Sequence, residues 1–345
     1  MNLVAKKSRF PFTSFPNCWY RVAYSKEIKS GEVKPLYYFG KDLVLFRTEK
    51  GIPYVFDAHC LHLGAHLGHG GKVKGENIQC PFHGWRYDSN GKCTYIPYSN
   101  NLPPNAQIRK WPTREVNGVI IVYYHSEGAP PTWEIPDVSE YTGGVQFHKA
   151  KQWKLRTHPQ DLAENALDMA HFVNVHPSKN IISAPKLDNI EINGPVTTLQ
   201  ISTGFKIPST ASWLLGKEMV GLYTNRLYGV SCFFALGSVE GKRGFQTASI
   251  TWSTPIDEEY CDVHLTFGIP SFFKNPLGYF TTVTSRQEGI KFFEQDFPVV
   301  ENKIYRSTAL LCDEEAQITK LRHWSSQFYP ESASPITNYL NSKVS

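Results

Sequence analysis

Two cysteines and two histidines form two short pairs that could bind a metal. The pairs are Cys60-Leu61-His62 and Cys80-Pro81-Phe82-His83, and seventeen residues separate them. Thiolate and imidazole groups bind zinc and also hold iron–sulfur clusters. Zinc pairs usually contain one ligand type, as in C-x-x-C with H-x₃₋₅-H, whereas each pair here mixes two types. The mixed pairs favour a [2Fe–2S] cluster with thiolates on one iron and imidazoles on the other, and four unligated core residues are the least favoured interpretation.

A second group of possible metal ligands lies further along the chain. Asp168 and His171 are three residues apart and would share one helix face, and His176 follows five residues later. On an ideal helix His171 and His176 diverge by roughly 140°, so binding one metal requires the helix to loosen or bulge between them. Two histidines on one helix are more often surface or core residues. Because the same chain also contains the two Cys/His pairs, a metal site becomes the favoured interpretation of these histidines.

The second group needs a carboxylate to complete a known type of iron site. Two histidines and one carboxylate form the facial triad of non-heme iron(II) oxygenases, which leaves open positions for O₂. Acidic residues between 288 and 301 are the candidates, and we expect Asp296 to be the ligand, with Glu294 as the runner-up. Most carboxylates in such a stretch are solvated helix charges, so spacing alone supports this choice only modestly.

Short β-strands must position the first group. The runs Leu43–Arg47 and Pro53–Asp57 flank a Lys50-Gly51 turn and predict a hairpin. Asn90-Gly91 is a strong turn signal, and the continuous apolar run Val119–Tyr124 predicts a buried strand. Both Cys/His pairs then fall in loops of a small antiparallel β domain.

Longer strands and helices must position the second group. Residues 196–201, 247–252 and 262–267 alternate as strands do, and residues 271–310 predict a long helical segment. We place a domain boundary near the Gly and Pro residues of 127–136. The predicted fold class is α+β, with one domain over 17–125, a second over 126–345, and residues 1–16 packed on the second.

Composition and charge exclude several classes of protein. The 345 residues include 36 Lys+Arg and 31 Asp+Glu, and no basic run could follow a phosphate backbone, so we expect no nucleic-acid partner. Seven cysteines at irregular spacing argue against a disulfide framework and for a reducing compartment. The N-terminus lacks a signal-peptide h-region, and no run reaches the ~20 apolar residues of a membrane span. We therefore expect a cytoplasmic protein without an integral membrane segment.

Taken together, the two patterns resemble the Rieske non-heme iron oxygenases, in their terminal oxygenase component. The C-x-H…C-x-x-H pairs and the run Asn165-x-x-Asp168-x-x-His171-x₄-His176 match in order and spacing. The resemblance implies an N-terminal Rieske domain and a C-terminal catalytic domain with a curved antiparallel sheet covered by helices. It implies a [2Fe–2S] cluster on Cys60, His62, Cys80 and His83, and a mononuclear Fe(II) on His171, His176 and Asp296.

The same resemblance implies roles for residues beside the ligands. Asn165 and Asp168 would belong to the catalytic group. In the family, a head-to-tail homotrimer brings the cluster of one subunit to the iron of the next, so Asp168 would contact His83 or His62 of a neighbour. A separate reductase or ferredoxin would supply the electrons one at a time.

Finer similarities suggest a steroid-like polycyclic substrate. Segments similar to the cholesterol 7-desaturases of the Neverland type are Gln79–Trp85, Gly91–Cys93, Ile96–Tyr98, Tyr123–His125 and Gly128–Pro136. Segments similar to the 3-ketosteroid 9α-hydroxylase oxygenase are Asp168–Phe172, Gln295-Asp296 and Leu321–Tyr329. We expect hydroxylation or desaturation of an apolar substrate. We also expect the chain to lack the N-terminal membrane anchor of the animal desaturases. An arylamine substrate, as in aminopyrrolnitrin-type oxygenases, is the alternative.

Two functions from other classes compete with an oxygenase. A Rieske electron carrier needs only the first 125 residues, and the rest of the chain, with its own ligand pattern, argues against it. A zinc-stabilised binding module would be colourless, whereas a Rieske cluster absorbs visible light.

Overall fold

The computed structural model describes residues 10–11, 15–142, 145–176, 183, 185–206, 218–239, 246–269 and 286–330. The chain divides into two compact units. One comprises Trp19–Pro136 and Thr254–Asp257, and the other comprises Met1–Cys18, Asp137–Ser253 and Glu258–Ser345. Among the described residues, no helix reaches the length and apolar character that crossing a membrane requires.

Short strands build the unit that contains Trp19–Pro136. They are β1 (Trp19–Tyr24), β2 (Val33–Tyr38), β3 (Lys41–Arg47), β4 (Pro53–Asp57), β5 (Lys72–Lys74), β6 (Asn77–Gln79), β7 (Arg86–Tyr87), β8 (Cys93–Tyr95), β9 (Lys110–Trp111), β10 (Thr113–Val116) and β11 (Val119–Tyr123). They form three antiparallel sheets of order β1-β11-β10, β2-β3-β4-β9 and β5-β6-β7-β8. A 3₁₀ turn, Ser25–Glu27, follows β1.

The predicted hairpin and buried strand are both present in this unit. Strands β3 and β4 pair from Leu43↔Asp57 to Arg47↔Pro53, and Gly51 turns the chain between them at φ +88°. Every residue of β11 is buried. The first Cys/His pair lies in the connection after β4, and the second lies between β6 and β7. Cys60 and Cys80 belong to a buried core with Phe46, Phe56 and other apolar residues of these sheets.

A seven-stranded sheet forms the centre of the other unit. Its strands are β12 (Gln146–Leu155), β13 (Lys186–Asn193), β14 (Val196–Lys206), β15 (Glu218–Tyr228), β16 (Cys232–Val239), β17 (Gln246–Pro255) and β18 (Cys261–Ile269), in the order β12-β18-β17-β16-β15-β14-β13. β12 pairs antiparallel with β18, and β13 to β17 pair antiparallel with their successive neighbours. The three runs that alternated in the sequence lie in β14, β17 and β18, as predicted.

Short helices accompany this sheet. They are α1 (Ser139–Thr142), α2 (Pro159–Asn165), α3 (Phe172–Val175), α4 (Phe297–Val300) and α5 (Ala316–Ser325), with helical residues at 286–294 and 3₁₀ turns at Asp313–Glu315 and Ser326–Phe328. Leu162 of α2, Phe293 and Phe297 pack on a small core of β12 and β18 formed by Leu155, Cys261 and Val263. Helices therefore cover the β12–β18 end of the sheet, in agreement with the predicted fold class.

The long helical segment predicted for 271–310 is wrong in part. Residues 271–285 lie outside the described residues. Residues 286–294 are helical, a turn follows at 295–296, and residues 301–312 are not helical. Pro298 explains the break, because proline has no N–H to donate to the carbonyl of Glu294 and its ring clashes with that turn.

Candidate metal centres

The two Cys/His pairs lie in loops of the same design. The Cys60 carbonyl accepts a hydrogen bond from Gly64 N–H at 2.9 Å, and the Cys80 carbonyl accepts one from Gly84 N–H at 3.2 Å. Both glycines have φ +73°, a left-handed conformation that favours glycine. Each loop therefore turns back tightly four residues after its cysteine, with the histidine of the pair inside the turn.

The loops place the thiols inside and the imidazoles nearer the surface. Cys60 and Cys80 are buried at 3% and 2% exposure, and the rings of His62 and His83 lie 4.6 Å apart between centroids at 77°. His62 stacks on Trp85 at 4.8 Å and 8°, and Trp85 Nε1–H donates to the Tyr98 hydroxyl at 2.8 Å. The two cysteines are thus neighbours in the core, and the two imidazoles face each other with the His62 ring held against Trp85.

This donor set fits an iron–sulfur cluster. Burial raises the pKa of the Cys60 thiol, and so does neighbouring Cys80. A bound metal offsets the free-energy cost of ionising the buried thiol, because it stabilises the thiolate form. His62 Nδ1 is buried and has no hydrogen-bond partner among the described residues. A buried ring nitrogen in that state is available as a ligand.

Tyr87 is a functional candidate that the sequence argument missed. Its hydroxyl oxygen lies 3.1 Å from Cys60 Sγ and 3.3 Å from the amide nitrogen of Leu61. Because Leu61 N–H can only donate, the phenol hydrogen is left to point at the sulfur. Burial raises the pKa of Tyr87, so it stays a neutral donor. Its position in the sequence, at the end of the short strand β7, carries no chemical signal by itself.

The structure brings His171, His176 and Asp296 together, and their ligand atoms lie within 4.8 Å of one another. His171 Nε2 is 3.2 Å from His176 Nε2, and Asp296 Oδ1 is 3.1 Å from His176 Nε2 and 3.6 Å from His171 Nε2. Ligand atoms about 2.1 Å from one metal ion lie roughly 3.0–3.4 Å apart at octahedral to tetrahedral angles. The separations of 3.1 and 3.2 Å fall in this range and the third, 3.6 Å, is slightly longer, so the three donor atoms are placed to face one metal ion.

The helix ends at His176, and it does not loosen or bulge between the two histidines as their spacing predicts. α2 ends at Asn165, and α3 spans only four residues between His171 and His176. His171 is the N-cap of α3, and His176 is its C-cap at φ −113° and ψ 58°, outside helical geometry. The predicted bulge is thus a helix end, and departure from the helix at His176 lets both rings face one point.

Residues around the three ligands hold them in place. Asn165 Nδ2–H donates to Asp296 Oδ2 at 3.0 Å, and Gln295 Oε1 lies 2.9 Å from His176 Nδ1. Burial lowers the pKa of His176, but Asp296 and Gln295 raise it, and the net direction is upward. The runner-up carboxylate, Glu294, instead accepts from Trp153 Nε1–H at 2.9 Å and pairs with Lys151.

Asp168 lies beside His171 with a partly exposed carboxylate. Its Oδ1 accepts from the backbone N–H of Ala170 at 2.9 Å and of His171 at 3.4 Å. Its Oδ2 is 3.6 Å from His171 Nδ1, and its side chain is 33% exposed. The His171 imidazole lowers the pKa of Asp168 against the effect of burial. An ionised carboxylate thus lies next to the predicted metal ligand.

Two family models together match most of the chain. A Rieske [2Fe–2S] domain matches residues 18–112, and a 3-ketosteroid 9α-hydroxylase C-terminal domain matches residues 122–329. Both predicted ligand groups fall within these ranges.

Similar proteins match over nearly the whole chain. The cholesterol 7-desaturase of Xenopus laevis is 33% identical over 344 residues, which are 94% of this chain and 74% of that protein. The oxygenase component of 3-ketosteroid-9-alpha-monooxygenase from Rhodococcus rhodochrous is 29% identical, over 93% of this chain and 84% of its own. The crystal structure of dicamba monooxygenase bound to dicamba aligns with a TM-score of 0.71 at 18% identity, covering 91% of this chain and 97% of that chain. That last likeness establishes the shared fold.

Proposed function

The chain belongs to the Rieske oxygenases that carry a 3-ketosteroid 9α-hydroxylase C-terminal domain, and we propose that it is the terminal oxygenase for a steroid-like polycyclic substrate. The observation that carries the proposal is the convergence of His171, His176 and Asp296. A Rieske electron carrier needs only the cluster domain, whereas this chain holds a second donor set suited to iron. The chain is an oxidoreductase, and as an oxygenase component it depends on a reductase or ferredoxin.

The substrate class is proposed from the named relatives. One relative is a cholesterol desaturase and another is a 3-ketosteroid monooxygenase component. Both act on the fused rings of a steroid, so we propose such a substrate here. Hydroxylation converts C–H, O₂, two electrons and two protons to C–OH and water. Desaturation uses the same O₂, electrons and protons to remove two hydrogens from adjacent carbons, with two waters as products.

The chain's residues would hold and serve two metal groups. Cys60, Cys80, His62 and His83 would hold the [2Fe–2S] cluster, and His171, His176 and Asp296 would hold a mononuclear Fe(II). When bound, the cluster supplies single electrons and the Fe(II) supplies O₂ activation.

The groups around the second centre have separate roles. Asn165 donates to Asp296 Oδ2 and leaves Oδ1 facing the histidines. The rings of Phe172 and Phe292 pack on His176, and their apolar faces keep water from the imidazole. Asp168, which is ionised and accepts two backbone hydrogen bonds, fixes the backbone at His171 and offers its exposed oxygen to a further donor.

We propose that the further donor to Asp168 is His83 or His62 of a neighbouring subunit in a homotrimer. Large apolar side chains around the cluster ligands support a subunit interface there. Leu61, Leu63, Phe82 and Tyr98 are 50%, 66%, 63% and 61% exposed. Neighbouring apolar groups at the surface mark sites of protein association.

The remaining proposals concern organisation and place in the cell. We propose a Rieske domain over 17–125 and a catalytic domain over 126–345; most of residues 1–16, predicted to pack on the latter, lie outside the described residues. The two family matches, to 18–112 and 122–329, support this division. We also propose a cytoplasmic location, which is supported by the seven cysteines, all of them outside disulfides.

A substrate panel tests the proposed function. The purified protein, loaded with iron and cluster, is supplied with NADH, a generic ferredoxin reductase pair and O₂, and offered sterols, 3-ketosteroids and arylamines. We expect NADH oxidation coupled to product with a steroid, in which mass spectrometry finds either an added oxygen or two lost hydrogens. Oxidation of arylamines alone would contradict the steroid proposal, and no oxidation by fully loaded protein would count against an oxygenase.

A further inference from the structure

The turn that supplies Asp296 also places two other side chains on His176. Gln295 Oε1 lies 2.9 Å from His176 Nδ1. The Phe292 ring stacks on the imidazole, with centroids 3.7 Å apart and 19° between the planes. Phe292 and Gln295 are three residues apart at the end of the helical residues 286–294, so they face the same side. One short segment therefore contacts the imidazole at an edge, at a face and, through Asp296 Oδ1, at Nε2.

We infer that Gln295 is a positioning residue that selects the tautomer of His176 suited to metal binding; the inference rests on the iron site of the proposed function. An amide oxygen can only accept a hydrogen bond, so His176 Nδ1 carries the hydrogen and donates it. In a neutral imidazole this leaves the lone pair on Nε2. Nε2 is the nitrogen that faces His171 Nε2 and Asp296 Oδ1.

Without this amide, the opposite tautomer would be favoured. His176 is only 3% exposed, so bulk water does not reach Nδ1 to replace the lost acceptor. A buried N–H without an acceptor is costly. The hydrogen would move to Nε2, where Asp296 Oδ1 accepts it at 3.1 Å. That hydrogen bond would occupy His176 Nε2 and Asp296 Oδ1, the two atoms that would bind the metal, so metal binding would have to break it.

Three substitutions distinguish the effect of the hydrogen-bond acceptor from the effect of side-chain shape. Gln295→Leu removes the acceptor and keeps a side chain of similar size. Gln295→Asn moves the acceptor away from His176 by the length of one methylene, and Gln295→Glu retains an acceptor at the same distance along the side chain. Gln287→Leu is a matched control, because Gln287 is an exposed position of the same helical residues. Mononuclear iron is removed from each holoprotein with a chelator, and Fe(II) is titrated back without O₂. Thermal unfolding followed by far-ultraviolet circular dichroism reports whether the unit that contains Gln295 stays folded.

We expect iron affinity to fall only in the variants that lose or displace the hydrogen-bond acceptor at position 295. Outer-sphere partners of metal-binding histidines typically contribute 10–100-fold in affinity. We expect Gln295→Leu and Gln295→Asn to bind Fe(II) about 10–100-fold more weakly. Gln295→Glu should bind within a few-fold of the unmodified protein, and Gln287→Leu should match it.

Other outcomes would overturn the inference or the proposal beneath it. Equal affinity of Gln295→Leu and the unmodified protein would overturn the role of Gln295 while leaving the iron site intact. An equal loss in Gln295→Glu would also overturn it, because shape rather than the acceptor would then matter. If Gln295→Leu does not fold, Gln295→Asn decides. An unmodified protein that binds no Fe(II) beyond its cluster would instead contradict the proposed function.

Discussion

Tyr87 shows how a residue that binds no metal can set the chemistry of one that does. Its oxygen accepts from Leu61 N–H, and its hydrogen points at the Cys60 sulfur. Hydrogen bonds to the sulfurs of a cluster raise its reduction potential, because they stabilise the more negative reduced state. Fully buried, Tyr87 has no water to compete for this contact.

Replacing Tyr87 by Phe should therefore lower the reduction potential of the cluster. A hydrogen bond to a charged group contributes about 1.5–3 kcal/mol, which corresponds to on the order of 65–130 mV for one electron. A redox titration followed by visible circular dichroism measures the shift. Tyr37→Phe, at a half-exposed position of the same unit, should leave the potential unchanged. An unchanged potential in Tyr87→Phe would show that the contact does not affect the cluster.

The sequence singles out candidate metal ligands but not the residues that contact them. Cys60, His62, Cys80 and His83 stand out because iron–sulfur ligation restricts both residue type and spacing. Tyr87, Gln295 and Phe292 are common residue types, and only the fold brings them to the ligands. Spacing alone favoured Asp296 over Glu294 only modestly, and the family resemblance strengthened that choice; in the structure Glu294 contacts Trp153 and Lys151 instead.

At the scale of elements, α2 depends on a buried ion pair. Glu164 receives two hydrogen bonds from Arg322 of α5, at 3.0 and 2.7 Å, and two more from the Tyr305 hydroxyl and the Gln160 amide. Glu164 and Arg322 are 7% and 4% exposed. Asn165, which donates to Asp296, is the next residue after Glu164. The ion pair therefore fixes the end of α2 from which Asn165 reaches the metal site.

Glu164→Gln should destabilise this unit because it leaves the Arg322 charge buried without its partner. The expected loss is about 3–5 kcal/mol in the free energy of unfolding, measured by urea denaturation with tryptophan fluorescence. Glu288→Gln is the matched control, since its pair with Lys291 is largely exposed and exposed pairs contribute little. Similar stability of both variants would contradict a structural role for the buried pair.

Strands were easier to predict than helices in this chain. The alternating runs in β14, β17 and β18 reflect burial on a sheet, which a sequence shows directly. The segment around His171 has the composition of a helix, but its helix ends at His176. This end lets the rings of His171 and His176 face the same point. Pro298 ends the helical residues 286–294 by a local rule, because proline cannot donate a hydrogen bond to the preceding turn.

For the whole molecule, the proposed trimer gives Asp168 its role. Asp168→Asn keeps the size of the side chain and removes its charge. We expect both metal groups to be retained, and turnover to fall by two or more orders of magnitude because the link between subunits is weakened. Iron analysis, cluster absorption and light scattering check metal content and trimer, and Asp188→Asn on β13 serves as the control. Full activity of Asp168→Asn would contradict the proposed link.

The central claim is that this chain oxidises a steroid-like substrate with O₂ at the centre formed by His171, His176 and Asp296. Its most direct test is a single turnover: protein with its cluster reduced is mixed with a 3-ketosteroid or sterol under ¹⁸O₂, and the products are analysed by mass spectrometry. We expect an ¹⁸O-hydroxylated or a desaturated steroid from the unmodified protein, and none from His176→Ala with its cluster intact. Equal product from His176→Ala, or no product from fully loaded unmodified protein across the steroid panel, would contradict it.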